Sequence, residues 1–330
     1  MVILRGEDMK IGILGAGAYG IALASVINKN HGSVQVWTPL QEEYELFNKE
    51  RMVPKLNNYH LSDTIHITND MEEVCKDKEL IVIAVPAKYL GSVIEQMKPY
   101  IKDQHLCIAT KGMENNTCRF CHNMITDEIS TTRVAAISGP TFAIDMVNEV
   151  TIGLALGTEN DETAQVVKQA FCNHFLKLRR TKDITGVEFC GAIKNVIALA
   201  AGMIDGMQLP ESTKAMFITE SLHDISELLE IFGGDKKTIL SFAGFGDLLL
   251  TCTSPKSRNF SFGHLIGSET NPDTIQQYRE NTTIEGLYTL DSIHQFGKEK
   301  QIDMPIIELI YNIIYHDHKP QELLTFLVEK

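Results

Sequence analysis

Along the first half of the chain, short, mainly apolar runs alternate with stretches of mixed polarity. The runs fall at residues 10–14, 34–37, 80–85, 106–110, 134–138 and 151–156. Apolar runs of this length, bounded by turn residues, read as strands covered on both faces, as in a parallel sheet. Pro86 ends the third run, Lys111-Gly112 follows the fourth, and Gly139-Pro140 follows the fifth. Helical stretches lie between several of them, which predicts a doubly wound α/β sheet. After about Gly186 the period changes. Residues 191–201, 212–232 and 283–297 carry helical spacing with few strand-like runs, so this half reads as all-helical. Residues 268–273 read as a loop. No repeat of 20–50 residues and no low-complexity tract interrupts the pattern.

Composition adds exclusions. The chain has 330 residues, 44% hydrophobic and 22% charged, enough for a sizeable core in two domains. A net charge of -13 repels phosphate backbones and anionic lipid, so nucleic acid and membrane surfaces are not expected partners. A small anion would need a local basic pocket, to be sought among Lys and Arg in unusual surroundings. Residues 1–10 hold no signal-peptide core, and the most apolar stretch, 186–206, is broken by Glu188, Lys194 and Asp205. No membrane span and a cytoplasmic location are therefore expected. The seven cysteines, 75, 107, 118, 121, 172, 190 and 252, read as free thiols. Cys118-Arg119-Phe120-Cys121-His122 matches the haem-attachment string. It reads as a chance match within a helix, since haem attachment needs an exported chain. No second ligand pair is spaced for zinc, and no metal is expected.

Gly15-Ala16-Gly17-Ala18-Tyr19-Gly20 has the Gly-x-Gly-x-x-Gly spacing between a strand and a helix. The first glycine makes a tight turn, the second leaves room for a pyrophosphate, and the third lets helix and strand touch. The helix start offers N–H groups to the phosphates. The expected fold is thus a Rossmann-like, doubly wound, mostly parallel α/β sheet over residues 9–185. An all-helical C-terminal domain follows over 186–330. No linker marks the boundary, which leaves a helix shared by the two domains open. The cofactor is NAD or NADP. After the second strand, Trp37-Thr38-Pro39-Leu40 carries neither an acid for ribose hydroxyls nor an Arg for a 2′-phosphate, and Glu42 and Glu43 come slightly late.

The helical half holds sharper chemistry. Lys194 sits among Ile193, Val196, Ile197 and Leu199. A lysine there either snorkels to water or is held, desolvated, as a general base. Asp247, in Gly244-Phe245-Gly246-Asp247-Leu248, reads as a helix N-cap or as the carboxylate that orients such a lysine. Ser257-Arg258-Asn259 gathers hydroxyl, guanidinium and amide donors after a turn. It is an ordinary polar loop or a match to a phosphate monoester.

The order of these stretches, with Val85-Pro86, Lys111-Gly112-Met113-Glu114, Ser138-Gly139-Pro140-Thr141-Phe142-Ala143, Gly191-Ala192-Ile193-Lys194-Asn195 and Glu285-Gly286, resembles bacterial-type NAD(P)-dependent glycerol-3-phosphate dehydrogenases. The resemblance runs from about Lys10 to Pro305. It implies reversible hydride transfer between NAD(P)H and dihydroxyacetone phosphate, giving sn-glycerol 3-phosphate for glycerophospholipid synthesis. It implies Lys194 as the proton acceptor at the C2 hydroxyl, with Asp247 beside it. Lys111, Gly139, Thr141, Ser257, Arg258 and Asn259 are implied as substrate contacts. Gly15, Gly17, Ala18, Tyr19, Gly20, Lys111, Ala143, Arg258, Thr283 and Glu285 are implied as cofactor contacts. A homodimer is left open.

Two departures stand out. Ala18 replaces a common serine near the pyrophosphate. Pro39 replaces a common basic residue after the second strand, which puts NADP preference in doubt. The rival expectations are a related hydroxyacid or sugar-acid dehydrogenase, a non-catalytic dinucleotide sensor and, distantly, a haem protein.

Overall fold

The computed structural model describes residues 9–115 and 117–329, and the structural statements below concern those. The reading of residues 1–8 as lacking a leader, and the last residue of the 186–330 domain, lie outside them. The chain forms two compact units. One is the chain through Thr110 with Cys121–Ile184, and the other is Lys111–Phe120 with Thr185–Lys330.

The first unit is built on strands β1 (Ile11–Leu14), β2 (Val34–Trp37), β3 (Met52–Val53), β4 (Tyr59–His60), β5 (Ile65–Thr68), β6 (Leu80–Ile83), β7 (His105–Ile108), β8 (Val134–Ser138), β9 (Ile152–Gly157) and β10 (Leu176–Thr181). Eight of them form one sheet in the order β10-β9-β8-β7-β6-β1-β2-β5, while β3 and β4 pair apart. All neighbours in the large sheet run parallel except β8 and β9. From β1 the chain winds outward to β5, then returns to β6 beside β1 and winds the other way. That doubly wound order puts the topological switch point between β1 and β6, where ligands of such sheets bind outside the carboxyl strand ends.

The helices of this unit are α1 (Ala18–His31), α2 (Gln41–Glu50), α3 (Met71–Cys75), α4 (Leu90–Met97), α5 (Cys121–Ile129), α6 (Ala143–Val147) and α7 (Asp161–Phe171). The central strands are unbroken apolar runs because both faces are covered. β1 and β6 are buried at every position. The edge strands β5 and β10 escaped the hydrophobic reading because they alternate instead. His66, Lys177 and Arg179 point outward, as suits a charged, protected edge.

The second unit holds α8 (Ile184–Gly206), α9 (Glu211–Ile231), α10 (Asp247–Thr253), α11 (Arg258–Gly267), α12 (Pro272–Asn281), α13 (Glu285–Lys300), α14 (Pro305–Tyr315) and α15 (Glu322–Glu329). α8 is largely apolar and is long enough to cross a bilayer, yet its most apolar window is entirely buried in the protein. It is the helix around which the unit is built. Glycines set its closest crossing. A Cβ on Gly202 would meet the Phe260 carbonyl oxygen at 2.0 Å, and one on Gly263 would meet that of Leu199 at 1.9 Å. α8 and α11 thus touch backbone to backbone, which fixes the start of α11 relative to α8.

Residues 111–120, assigned by hydrophobic pattern to the 9–185 region, belong with the helical unit. Met113 bridges to Phe120, and the Phe120 ring meets Phe232 edge-on at 5.9 Å. Phe232 in turn stacks on Phe296 at 4.7 Å. The haem-like string is likewise not inside a helix. Cys118 takes a left-handed φ of 52°, and α5 starts only at Cys121. Burial pushes the Cys118 thiol up to about 12, so it stays neutral.

Candidate functional site

In the first unit, the turn from β1 into α1 is made of three glycines with three separate reasons. Gly15 adopts φ +115°, a conformation that disfavours any side chain. A Cβ on Gly20 would lie 1.9 Å from the Gly15 carbonyl oxygen, so only glycine lets the helix sit on the turn. Gly17 is different. Its φ of -62° is ordinary, and a Cβ there would meet nothing within 4 Å. Neither backbone strain nor packing asks for glycine at 17, whereas close approach of a ligand backbone would. Gly17 also opens α1 without a side-chain cap, and the first turn holds no acid. The turn therefore fits a dinucleotide pyrophosphate in space and in charge. Ala18 and Tyr19 lie half-buried in that first turn.

The β8–α6 turn carries Gly139, Thr141 and Ala143. Gly139 lies against the backbone of β9, where a Cβ would meet the Gly153 carbonyl oxygen at 2.8 Å. Thr141 is buried, and its hydroxyl donates to the Phe142 carbonyl at 3.1 Å. Ala143 begins α6, which packs on α1.

In the second unit, four side chains converge from three places in the chain. The Lys194 amine donates to Asp247 Oδ1 at 2.5 Å and to Thr251 Oγ1 at 3.1 Å. The Lys111 amine reaches the other oxygen, Asp247 Oδ2, at 3.4 Å. Asp247 is completely buried, and Lys194 nearly so. A hollow lined by Cys190, Ile193, Leu222, Ile225, Ile239 and Leu248 backs the lysine with apolar groups.

The local chain explains the geometry. Ser241 caps the turn from Phe242 to Gly246 by accepting from the N–H groups of Ala243 and Gly244. Gly244 departs from helical backbone there, pressed against Ile239. That kink restarts the helix at Asp247 as the first residue of α10. Asp247 opens α10 from inside its first turn, and its carboxylate reaches the two amines. Thr251, one turn later on the same face, donates its hydroxyl to the Asp247 carbonyl at 2.6 Å. Its oxygen is thereby left to accept from Lys194.

Burial pulls the Lys194 ammonium down from the ordinary lysine range to about 8, with the Asp247 charge opposing the fall and Lys111 adding to it. The lysine does not snorkel. It is a desolvated amine held below the ordinary lysine range, in a cluster where two amines share one carboxylate.

A second network borders the first on α8. Asn195, next to Lys194, accepts at Oδ1 from Asn259 Nδ2 at 2.9 Å and donates to Glu285 at 3.4 Å. Asn259 Oδ1 accepts from the Gly286 N–H at 2.9 Å. The Arg258 guanidinium, half-exposed, stands 3.8 Å from Glu285. Ser257 caps α11, its oxygen accepting from the Phe260 N–H. Thr283 lies exposed just before α13.

Two family models cover this chain. NAD-dependent glycerol-3-phosphate dehydrogenase N-terminus matches residues 10–164, and the C-terminus model of the same name matches 183–325. The chain belongs to the NAD-dependent glycerol-3-phosphate dehydrogenase family. A glycerol-3-phosphate dehydrogenase [NAD(P)+] of Agathobacter rectalis is 33% identical over 97% of this chain and 95% of its own. One from Halorhodospira halophila is 33% identical over 97% and 96%. The crystal structure of glycerol-3-phosphate dehydrogenase from Coxiella burnetii superposes with a TM-score of 0.91 at 30% identity, over 98% of this chain and 99% of that one. The glycine turn and Lys111 fall in the first matched region; Lys194, Asp247, Arg258 and Glu285 fall in the second.

Two members of this constellation were not singled out from the sequence. Thr251 could have been found as the residue four positions after Asp247. Asn195 could have been found as the polar neighbour of a lysine in an otherwise apolar helix. Among the described residues no group of three His, Cys, Asp or Glu side chains is placed to hold a metal ion.

Proposed function

We propose that this chain interconverts dihydroxyacetone phosphate and sn-glycerol 3-phosphate with NAD or NADP. A dinucleotide held by its pyrophosphate at the glycine turn, Gly15 to Gly20, would supply or accept the hydride at the substrate C2 carbon. In reduction, Lys194 as ammonium polarises the C2 ketone and gives its oxygen a proton. In oxidation, the neutral amine takes the proton from the C2 hydroxyl. Asp247 and Thr251 hold the amine in place, each accepting one of its N–H groups. That leaves the third N–H of the ammonium for the substrate oxygen. Lys111 adds a second positive charge, which suits an anionic substrate and the charge that develops on its oxygen.

Arg258 is the chief phosphate grip in this reading. Its guanidinium is half-exposed, with Glu285 no nearer than 3.8 Å. Ser257 keeps its own O–H after capping α11, and Asn259 keeps one N–H, so both retain a donor for the phosphate. Gly139 and Thr141 are assigned to the substrate on the resemblance, and Ala143, Glu285 and Thr283 to the cofactor, Thr283 with the least structural support. The seven free cysteines suit a reducing, cytoplasmic setting, and glycerophospholipid synthesis is the use we assign to the product.

The observation that carries the reading is a buried, desolvated lysine gripping a carboxylate that a second lysine also grips. A substrate panel tests it. With NADH, dihydroxyacetone phosphate should be reduced far faster than pyruvate, ketopantoate or other keto acids. Preference for a keto acid, or NADH binding without turnover of any ketone, would overturn it.

A further inference from the structure

The carboxyl end of β2 carries a carboxylate that sequence spacing alone would place too late. The Gly15 N–H donates to the Trp37 carbonyl at 2.9 Å, so this strand end lies directly beside the glycine turn. Thr38, the next residue, is buried. Its hydroxyl donates to Glu43 Oε2 at 3.0 Å and accepts from the Leu40 N–H at 3.3 Å. This closes a tight turn that brings the first turn of α2 back to the strand. Glu43 thereby stands where an acid at the end of the second strand would stand in the dinucleotide fold. Glu42, its neighbour, points into solvent.

The other ionic groups of the segment are already engaged. Arg51 is bound to the carbonyls of Ser62 and Ile65. Lys49 pairs with Glu50 at 3.5 Å, and Lys55 lies 3.8 Å from Glu43 itself. Glu73, on α3, is held by both Gln35 and Thr68 at 2.6 Å. Glu43 differs. Thr38 occupies Oε2, while Oε1 has only the long contact to an exposed lysine. Oε1 is thus the oxygen able to accept from ribose hydroxyls, with only the exposed Lys55 amine, 3.8 Å away, beside it.

Resting on the dinucleotide reading above, we propose that Glu43, braced by Thr38, is the residue that selects NAD over NADP in this chain. Its free oxygen receives the adenosine ribose hydroxyls and repels a 2′-phosphate. Pro39 supplies no compensating charge.

Trp37, the single tryptophan of the chain, adjoins this turn and makes binding visible without turnover. The full-length protein is titrated with NADH and with NADPH while the Trp37 emission is followed. NADH should bind at least about tenfold more tightly, as expected when a 2′-phosphate must face a fixed carboxylate. Glu43→Gln, whose amide oxygen can still accept from Thr38, should bring the two affinities close together, chiefly by tightening NADPH. Glu43→Asp, which keeps the charge, should retain the preference and shows that the loss in Glu43→Gln is not misfolding. Equal affinities in the unaltered protein, or the same ratio in Glu43→Gln and Glu43→Asp, would overturn the proposal. Discrimination by binding without reduction of dihydroxyacetone phosphate would uphold it and count against the proposed function instead. Binding of neither dinucleotide would overturn both.

Discussion

The glycine turn and the lysine cluster are built on opposite principles. The turn is six consecutive residues acting through backbone, and its side chains matter by being absent. The cluster brings together Lys111, Lys194, Asp247 and Thr251, up to 140 positions apart, and acts through side chains buried at real electrostatic cost. An open helix end binds by leaving groups unpaired. A desolvated amine reacts because its charge is only partly compensated. The two parts should therefore fail in different ways.

The largest contrast is expected from Lys194→Ala. It removes the group we propose as proton exchanger, so turnover should fall by about 10²–10⁴-fold, the usual worth of a positioned acid–base group, while NADH affinity stays nearly unchanged. Steady-state rates beside a binding titration check this, and loss of NADH binding would erase the distinction between the two regions. Gly20→Val should do the reverse. Its Cβ would strike the Gly15 carbonyl oxygen, costing about 1–3 kcal/mol or more of stability and most of the dinucleotide affinity. A lowered melting temperature together with weakened NADH binding is the expected result.

Arg258→Ala sharpens the comparison within the helical unit. Loss of a charge-assisted contact should raise KM for dihydroxyacetone phosphate by about tenfold or more, with a smaller fall in kcat. An unchanged KM would leave Arg258 to its distant Glu285 partner. The smallest effect is expected from Thr251→Val. It deletes an oxygen that accepts from the Lys194 ammonium, so the charged form loses support. The pH profile should shift to lower pH with only a modest change in maximal rate. A shift to higher pH would mean that Thr251 holds the neutral amine instead.

What could be read from the sequence follows the same division. The glycine turn was legible because its geometry is local: six adjacent residues between a strand and a helix. Lys194 was legible as an anomaly, a charge in an apolar helix, but whether it snorkelled depended on what α10 placed opposite it. Asp247 was open for the same reason. Capping and orienting are equally good uses for an aspartate at a helix start until a partner is known. Ser257 shows the converse, since its hydroxyl oxygen caps α11 whatever else its proton does. The segment 111–120 was grouped with the strands that precede it because nothing in its own residues announces that Phe120 packs on Phe232. Glu43 looked too distant from the second strand because spacing counts residues, while the Thr38 turn folds those residues back.

The central claim is that the buried amine of Lys194 exchanges the substrate proton, and the pH dependence of the two reaction directions tests it most directly. Reduction needs the ammonium and oxidation needs the free amine. Maximal reduction should therefore decline, and maximal oxidation should rise, as pH passes upward through the lysine's own value, about 8 when no ligand is present. Both limbs should vanish from the residual rates of Lys194→Ala. Parallel profiles for the two directions, or limbs that survive in Lys194→Ala, would contradict the account.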